Sequence, residues 1–326
     1  MGYKLSILDQ SPIAEGMSAA QALAQTVSLA KVAEALGYQR FWVSEHHNSD
    51  ELAGSSPEVL ITWLLAHTTT LRIGSGGVML QHYSPYKVAE NFHVISALAG
   101  GRVDLGIGKA PGGLPLATRA LQQEIGEAQR VAFTEKLHQL NRFLGSNDDT
   151  ADRLNATPLP EHEPQRFLLG ASQDSAKLAA SLGWNFVFAG FINASETLLA
   201  ESLLSYRELK PASAQTLLSL SVIAAKRHED AEALASIQHN YKVYIENKPP
   251  LTVGSQEQAE DFVRQAGVTD FRIEQELRHV LYGTPEDIHQ RLESYHQRFG
   301  VDEFIIYTPV TSPREREVSI RLLAQR

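Results

Sequence analysis

The sequence predicts an α/β protein of the (β/α)8 TIM-barrel class, with loop insertions on the C-terminal face of the barrel. Three observations carry that expectation. Short runs rich in β-branched and aromatic residues alternate from end to end with longer segments of helical spacing. Eight such strand–helix units fit within 326 residues, and parallel strands joined by right-handed crossovers can close into a ring. The alternative, an open doubly wound sheet, would place a Gly-x-Gly-x-x-Gly turn after an early strand, and none stands there. No internal repeat or low-complexity tract appears, so one domain is predicted over 1–326.

The first strand is Lys4–Asp9, and Ser18 caps a helix with apolar positions Ala22, Leu23, Val27, Ala30, Ala33 and Leu36, stopped at Gly37. The second strand is Arg40–Ser44. Ser56-Pro57-Glu58 then opens a helix: Ser accepts an unsatisfied N–H, Pro fits the first helical position and Glu favours the positive helix end. Strand three, Leu71–Ser75, runs into Gly76-Gly77, and Ser84-Pro85 starts the helix that stops at Gly100-Gly101. Strand four, Arg102–Ile107, leads through a Gly/Pro-rich loop to a helix over about 116–143. Residues 145–165 read as an insertion. Strand five is Arg166–Gly170, strand six Asn185–Ala189 and strand seven Leu217–Ala225, each followed by a helix. A second insertion, 247–282, reads as irregular with a short helix near 256–266. Thr284-Pro285-Glu286 caps a helix ending at Gly300, and strand eight, Glu303–Thr308, precedes the last helix.

Composition narrows function. With 29 Lys+Arg against 38 Asp+Glu the net charge is −9, and no basic stripe offers itself to phosphates, which argues against a nucleic-acid partner. There is no cysteine, hence no disulfide framework, thiolate nucleophile or Cys-ligated metal. The longest apolar stretch, Val59 to Ala66, is far short of the roughly 20 residues that span a bilayer. A soluble, cytoplasmic protein is the expectation. Residues 1–6 match the Met-Gly-x-x-x-Ser acylation pattern, but an opening strand explains them better.

Barrel enzymes place their chemistry on the loops that follow the strands. After strand two stands Glu45-His46-His47-Asn48, which suits proton transfer or ligand binding, a hydrogen-bonding cluster, or a metal. After strand three, Gly76-Gly77 lets backbone approach a flat ligand, or simply makes a tight turn. After strand four, the Gly-rich loop carries a single cation, Lys109, suited to an anionic group. After strand five, Ser172 caps a helix whose free N–H groups, with the Ser172 and Ser175 hydroxyls, form a phosphate site; Asp174 should then point away. Pocket walls fall at Asp9–Glu15, Gln81–Tyr83, Gly112–Leu116, 145–165 and 247–282.

Four segments together resemble the bacterial luciferase-like flavin-dependent monooxygenases: Phe41–Asn48, Ile73–Leu80, Gly101–Gly112 and Leu169–Ala176, with Gly283–Glu286 and Phe299–Glu303 similar to that family's C-terminal region. The match runs in order over almost the whole chain. The resemblance implies a TIM barrel that takes reduced FMN from a separate flavin reductase and reacts it with O2, so that a flavin C4a-peroxide oxidises a small organic substrate. His46 matches the active-site histidine. Gly76-Gly77 matches a non-prolyl cis peptide beneath the flavin ring. Lys109, Ser172 and Ser175 match the FMN-phosphate site, with Lys109 where luciferase has arginine. Luciferase's reactive cysteine is replaced by Gly108, and Pro111-Gly112-Gly113-Leu114 stands where the nearest subgroup has Pro-Gly-Thr-Asp. The resemblance also implies a homodimer through helices at about 57–69 and 85–98. Its alternatives are an F420-dependent oxidoreductase of the same fold and a flavin-binding protein without turnover; outside the family, a metal-dependent hydrolase would use Glu45, His46 and His47.

Overall fold

A computed structural model describes residues 2–122, 130–145, 154–192, 195–246 and 250–325. Eight parallel strands follow the predicted places: β1 (Lys4–Asp9), β2 (Arg40–Val43), β3 (Arg72–Ser75), β4 (Val103–Gly108), β5 (Gln165–Gly170), β6 (Asn185–Ala189), β7 (Thr216–Ala224) and β8 (Glu303–Tyr307). Each pairs with the next in sequence. Pairing of β8 with β1, in register Ser6 to Ile305 and Leu8 to Tyr307, closes the ring. The chain is therefore a TIM barrel.

Helices α1 (Ala19–Ala35), α2 (Pro57–His67) and α3 (Pro85–Ala99) follow the first three strands. Ser18 caps α1 through a reciprocal box with Gln21. The hydroxyls of Ser56 and Ser84, by contrast, make no cap bond. Pro57 and Pro85 begin those helices without an N–H, so one unsatisfied donor is already gone. The helix predicted over 116–143 is two: α4 (Pro115–Leu121) and α5 (Phe133–Phe143). Helix α4 has no buried residue, while α5 buries Lys136, Leu137 and Leu140, so the two pieces answer to different surroundings. Of the insertion predicted at 145–165, residues 146–153 lie outside the described residues.

Helices α6 (Gln173–Ser181), α7 (Glu196–Leu209) and α8 (His228–Ser236) follow β5, β6 and β7. The segment predicted as irregular, 247–282, instead completes a three-stranded antiparallel sheet, with His239–Ile245 between Leu251–Val253 and Phe271–Leu277. Its helix, α9 (Gln256–Ala266), lies where the sequence placed it and packs Ala259 and Val263 against Val243. Alternation explains the sheet: Tyr241, Val243 and Ile245 share the packed face while the interleaved Lys242 pairs with Glu276 outside. Helix α10 (Pro285–Phe299) starts with a Thr284–Asp287 capping box, and α11 (Pro313–Leu323) ends the chain. No helix among the described residues is long and apolar enough to cross a membrane.

The main core lies between barrel and helices, where Ile7, Phe41, Ile73, Val103 and Leu105 face outward. A second cluster fills the barrel itself, with Leu8, Trp42, Phe167, Val187, Leu217 and Ile305 packed across the axis. Beneath it, towards the strands' N-terminal ends, sits a charged floor. Arg40 donates from Nη1 to Asp104 Oδ2 at 2.8 Å, and from Nε and Nη2 to the two oxygens of Glu303 at 2.6 and 2.9 Å. Arg72 pairs with Asp104 at 2.6 Å, and Trp42 Nε1 donates to the same carboxylate at 3.0 Å. Two guanidiniums thus balance two carboxylates, and apolar side chains close the barrel above them.

Candidate active site at the barrel mouth

Strands β2, β3, β4 and β5 are consecutive around the ring, so the residues that leave their C-terminal ends share one arc of the mouth. His46 leaves β2, Gly76-Gly77 leaves β3, Lys109 leaves β4, and Ser172 and Ser175 follow β5. All the site residues picked out from the sequence therefore come to one face of the barrel.

Glycine makes the wall between them. A Cβ on Gly76 would stand 2.7 Å from Leu8 Cδ1 and 3.2 Å from Trp42 Cε3, both in the inner cluster. One on Gly106 would stand 2.2 Å from the Ser75 carbonyl and 3.0 Å from Leu169 Cδ1, and one on Gly77 would stand 2.7 Å from the Gly106 carbonyl. The peptide between Gly76 and Gly77 is cis. Side chains are thus barred, and bare backbone faces the axis on this arc.

The Glu45-His46-His47 triplet divides. Glu45 is fully buried and accepts three hydrogen bonds: from Tyr83 Oη at 2.7 Å, from His47 Nε2 at 2.7 Å and from the Met79 amide at 3.0 Å. His46 turns the other way, towards Gln10, whose Nε2 lies 3.4 Å from His46 Nε2. Since the Gln10 amide nitrogen can only donate, the imidazole accepts there and carries its proton on Nδ1. Burial, helped by the neighbouring His47, pushes the His46 pKa down to about 4, so the ring is neutral at ordinary pH. The two histidines and the glutamate do not converge on a point, and no group of three His, Asp or Glu side chains among the described residues could hold a metal ion.

The loop after β4 is pinned to this cluster. His47 N–H donates to the Gly112 carbonyl at 2.7 Å, and His82 Nε2 to the Pro111 carbonyl at 2.7 Å while Gln122 donates to His82 Nδ1 at 2.9 Å. Burial lowers the His82 pKa, which keeps that donor–acceptor arrangement. Lys136 donates to the Gln81 and Tyr83 carbonyls at 3.0 and 2.9 Å. The fit leaves no room at Gly113, where a Cβ would stand 2.9 Å from the His47 carbonyl. That contact gives a physical reason for Gly113 in place of Thr.

Further along the arc, Lys109 is exposed, and the hydroxyls of Ser172 and Ser175 lie 3.1 Å apart at the start of α6. Ser172 Oγ accepts the Ser175 N–H at 3.3 Å, leaving the first two amides of α6 without an acceptor in the helix. Gly170 makes this possible, since its Cβ would stand 2.6 Å from Ser175 Oγ. Asp174 is exposed. A cation, two hydroxyls and free helix amides next to a backbone wall fit a planar ring carrying a phosphate.

Spacing alone did not single out Gln10, Tyr83 or Glu45 for the parts they play, because each is defined by a partner in the loop after another strand. Only their places in strand-end loops marked them.

Residues 3–303 match the family model described as luciferase-like monooxygenase. An N-acetyl-S-alkylcysteine monooxygenase of Bacillus subtilis is 45% identical over 98% of this chain and 97% of its own length. The crystal structure of apo-MsnO8 superposes with a TM-score of 0.80 at 31% identity, covering 99% of this chain and 98% of that one. The oxygenating constituent of 3,6-diketocamphane monooxygenase from Pseudomonas putida, solved with FMN, shares the fold at a TM-score of 0.68 and 16% identity, over 100% of this chain and 98% of that one.

Proposed function

The chain belongs to the luciferase-like monooxygenase family, and on that premise we propose that it is an FMN-dependent monooxygenase oxidising a small organic substrate. The observation that carries the reading is the backbone wall at Gly76, Gly77 and Gly106 set between a neutral His46 and the Ser172–Ser175 hydroxyl pair. Gly76 and Gly77 would face the flavin ring, and Lys109, Ser172, Ser175 and the first amides of α6 would hold its phosphate. Reduced FMN from a separate reductase would supply the two electrons by which O2 gives one oxygen atom to the substrate and the other to water. His46 handles the proton, its neutral ring accepting on one nitrogen and donating from the other. Glu45 positions rather than reacts: by holding Tyr83, His47 and the Met79 amide it fixes the floor on which the loop after β4 rests. The 45% identical relative acts on N-acetyl-S-alkylcysteine, which makes an N-acylated thioether amino acid the substrate class to test first.

Anaerobic titration tests the cofactor. Saturable binding of FMNH2 in the micromolar range is expected, weakened about tenfold by Lys109→Ala through loss of one charge-assisted contact. Preference for reduced F420 would overturn the FMN reading. Flavin binding without thioether-stimulated O2 uptake across a broad substrate panel would overturn turnover.

A homodimer belongs to the same proposal. Trp63 (59% exposed) and Leu98 (72% exposed) sit with Val59 and Val94 on the outer faces of α2 and α3, beside a groove of about 1190 Å³ shared with α1. Such an apolar face marks an interaction surface. Trp63→Glu together with Leu98→Glu is expected to shift sedimentation from dimer to monomer at micromolar concentration. Equal sedimentation of both proteins at the monomer position would refute the dimer.

A further inference from the structure

We propose that Arg278 is the anchor for a substrate carboxylate, which makes the substrate of this site an anion held opposite the phosphate arc. The proposal rests on the monooxygenase reading and names its substrate class. Tyr307 ends β8, and its register with Leu8, a member of the inner cluster, turns it towards the barrel axis. Its ring lies 6.0 Å from that of Phe191, which leaves β6, so the two aromatic rings bridge the mouth over β7. Arg278, from the stretch that follows the antiparallel sheet, reaches this spot: its Nη1 donates to Tyr307 Oη at 3.1 Å and its Nε to Asn240 Oδ1 at 3.0 Å. No acidic side chain pairs with it among the described residues, and its Nη2 makes no hydrogen bond to them. One edge of the guanidinium fork, Nη2 with the second N–H of Nη1, is thus left for a bidentate acceptor.

A second observation points to a ligand independently. By register with Ile305 and Tyr307, Ser219 and Ser221 lie on the same inward face of β7, and both hydroxyls are buried without a partner among the described residues. Buried polar groups in native folds are satisfied by something. A ligand carrying an amide beside its carboxylate would satisfy them, with its apolar chain against Phe191. Arg278 stands over β8, and Lys109 leaves β4, four strands away and so across the mouth. Two anions, one on the cofactor and one on the substrate, are thereby kept apart.

The test uses N-acetyl-S-benzyl-L-cysteine and its methyl amide as probes, with the Arg278→Gln and Arg278→Lys variants. For the acid, R278Q is expected to raise KM about 10- to 100-fold with kcat within about threefold, while the amide's KM stays unchanged. R278K should recover part of the loss, since charge returns without the fork. If wild type handles acid and amide alike, or R278Q raises both KM values equally, Arg278 only ties the small sheet to the barrel and the proposal fails. If wild type oxidises neither probe, the monooxygenase reading fails for thioethers, and calorimetric titration decides the carboxylate site separately. Acid binding that R278Q abolishes and the amide never shows would sustain it; absence of acid binding would overturn it.

Discussion

Replacing His46 with alanine is expected to lower substrate oxidation by about 10²- to 10⁴-fold, the usual worth of a positioned acid–base group, while FMNH2 affinity and the melting temperature stay close to wild type. The ring is partly open to the mouth and contributes no buried salt bridge, so its loss should not unfold the barrel. The pH profile separates a chemical role from a packing one. Burial holds the folded-state pKa near 4, below the ordinary histidine value of 6.5. Activity that needs the neutral ring should therefore persist as pH falls through 6.5 and fail only as it approaches 4. An unburied histidine would give the earlier loss. Stability moves with the same sign: the unfolded chain takes up the proton first, so wild type loses stability as pH falls from about 6.5 towards 4, and H46A lacks that component. Full turnover in H46A would remove His46 from the mechanism.

Arg40→Ala should be the most damaging change to the fold, costing about 3–5 kcal/mol, the range for removing one partner of a buried ion pair. Arg40 is 1% exposed and, among the described residues, is the only cationic partner of Glu303, whereas Asp104 keeps Arg72. The variant leaves Glu303 charged, buried and held by the Ser6 hydroxyl. For a barrel of this size that corresponds to a fall in Tm of about 4–7 °C. Adding Glu303→Gln should return part of the loss by removing the stranded charge. Chemical denaturation followed by circular dichroism measures both; a loss below about 1 kcal/mol for the single variant would show that the floor is not held by these pairs.

The barrel was legible because each strand is a short β-branched or aromatic run bounded by turn residues, and these local signals survive folding. Strand-end position was enough to bring His46, Gly76, Lys109 and Ser172 to one face. The antiparallel sheet was not legible, since charged residues such as Lys242 and Glu276 on its outer face hide the alternation of Tyr241, Val243 and Ile245. Strand alternation already sets Glu45 and His46 on opposite sides, but their partners Tyr83 and Gln10, in loops after other strands, were not legible. The charged floor was equally silent: Arg40, Asp104 and Glu303 meet across intervals of 64 and 263 residues.

The mouth is built in two unlike halves. From β2 to β5 its inner wall is polypeptide spine at Gly76, Gly77 and Gly106, where an added Cβ collides; from β6 to β8 it carries the side chains of Phe191, Ser221 and Tyr307, replaceable one at a time. Descendants of such a scaffold could therefore exchange what they oxidise by drifting on one flank while the other stays frozen, and a directed-evolution library confined to the replaceable flank should yield new specificities without sacrificing flavin affinity.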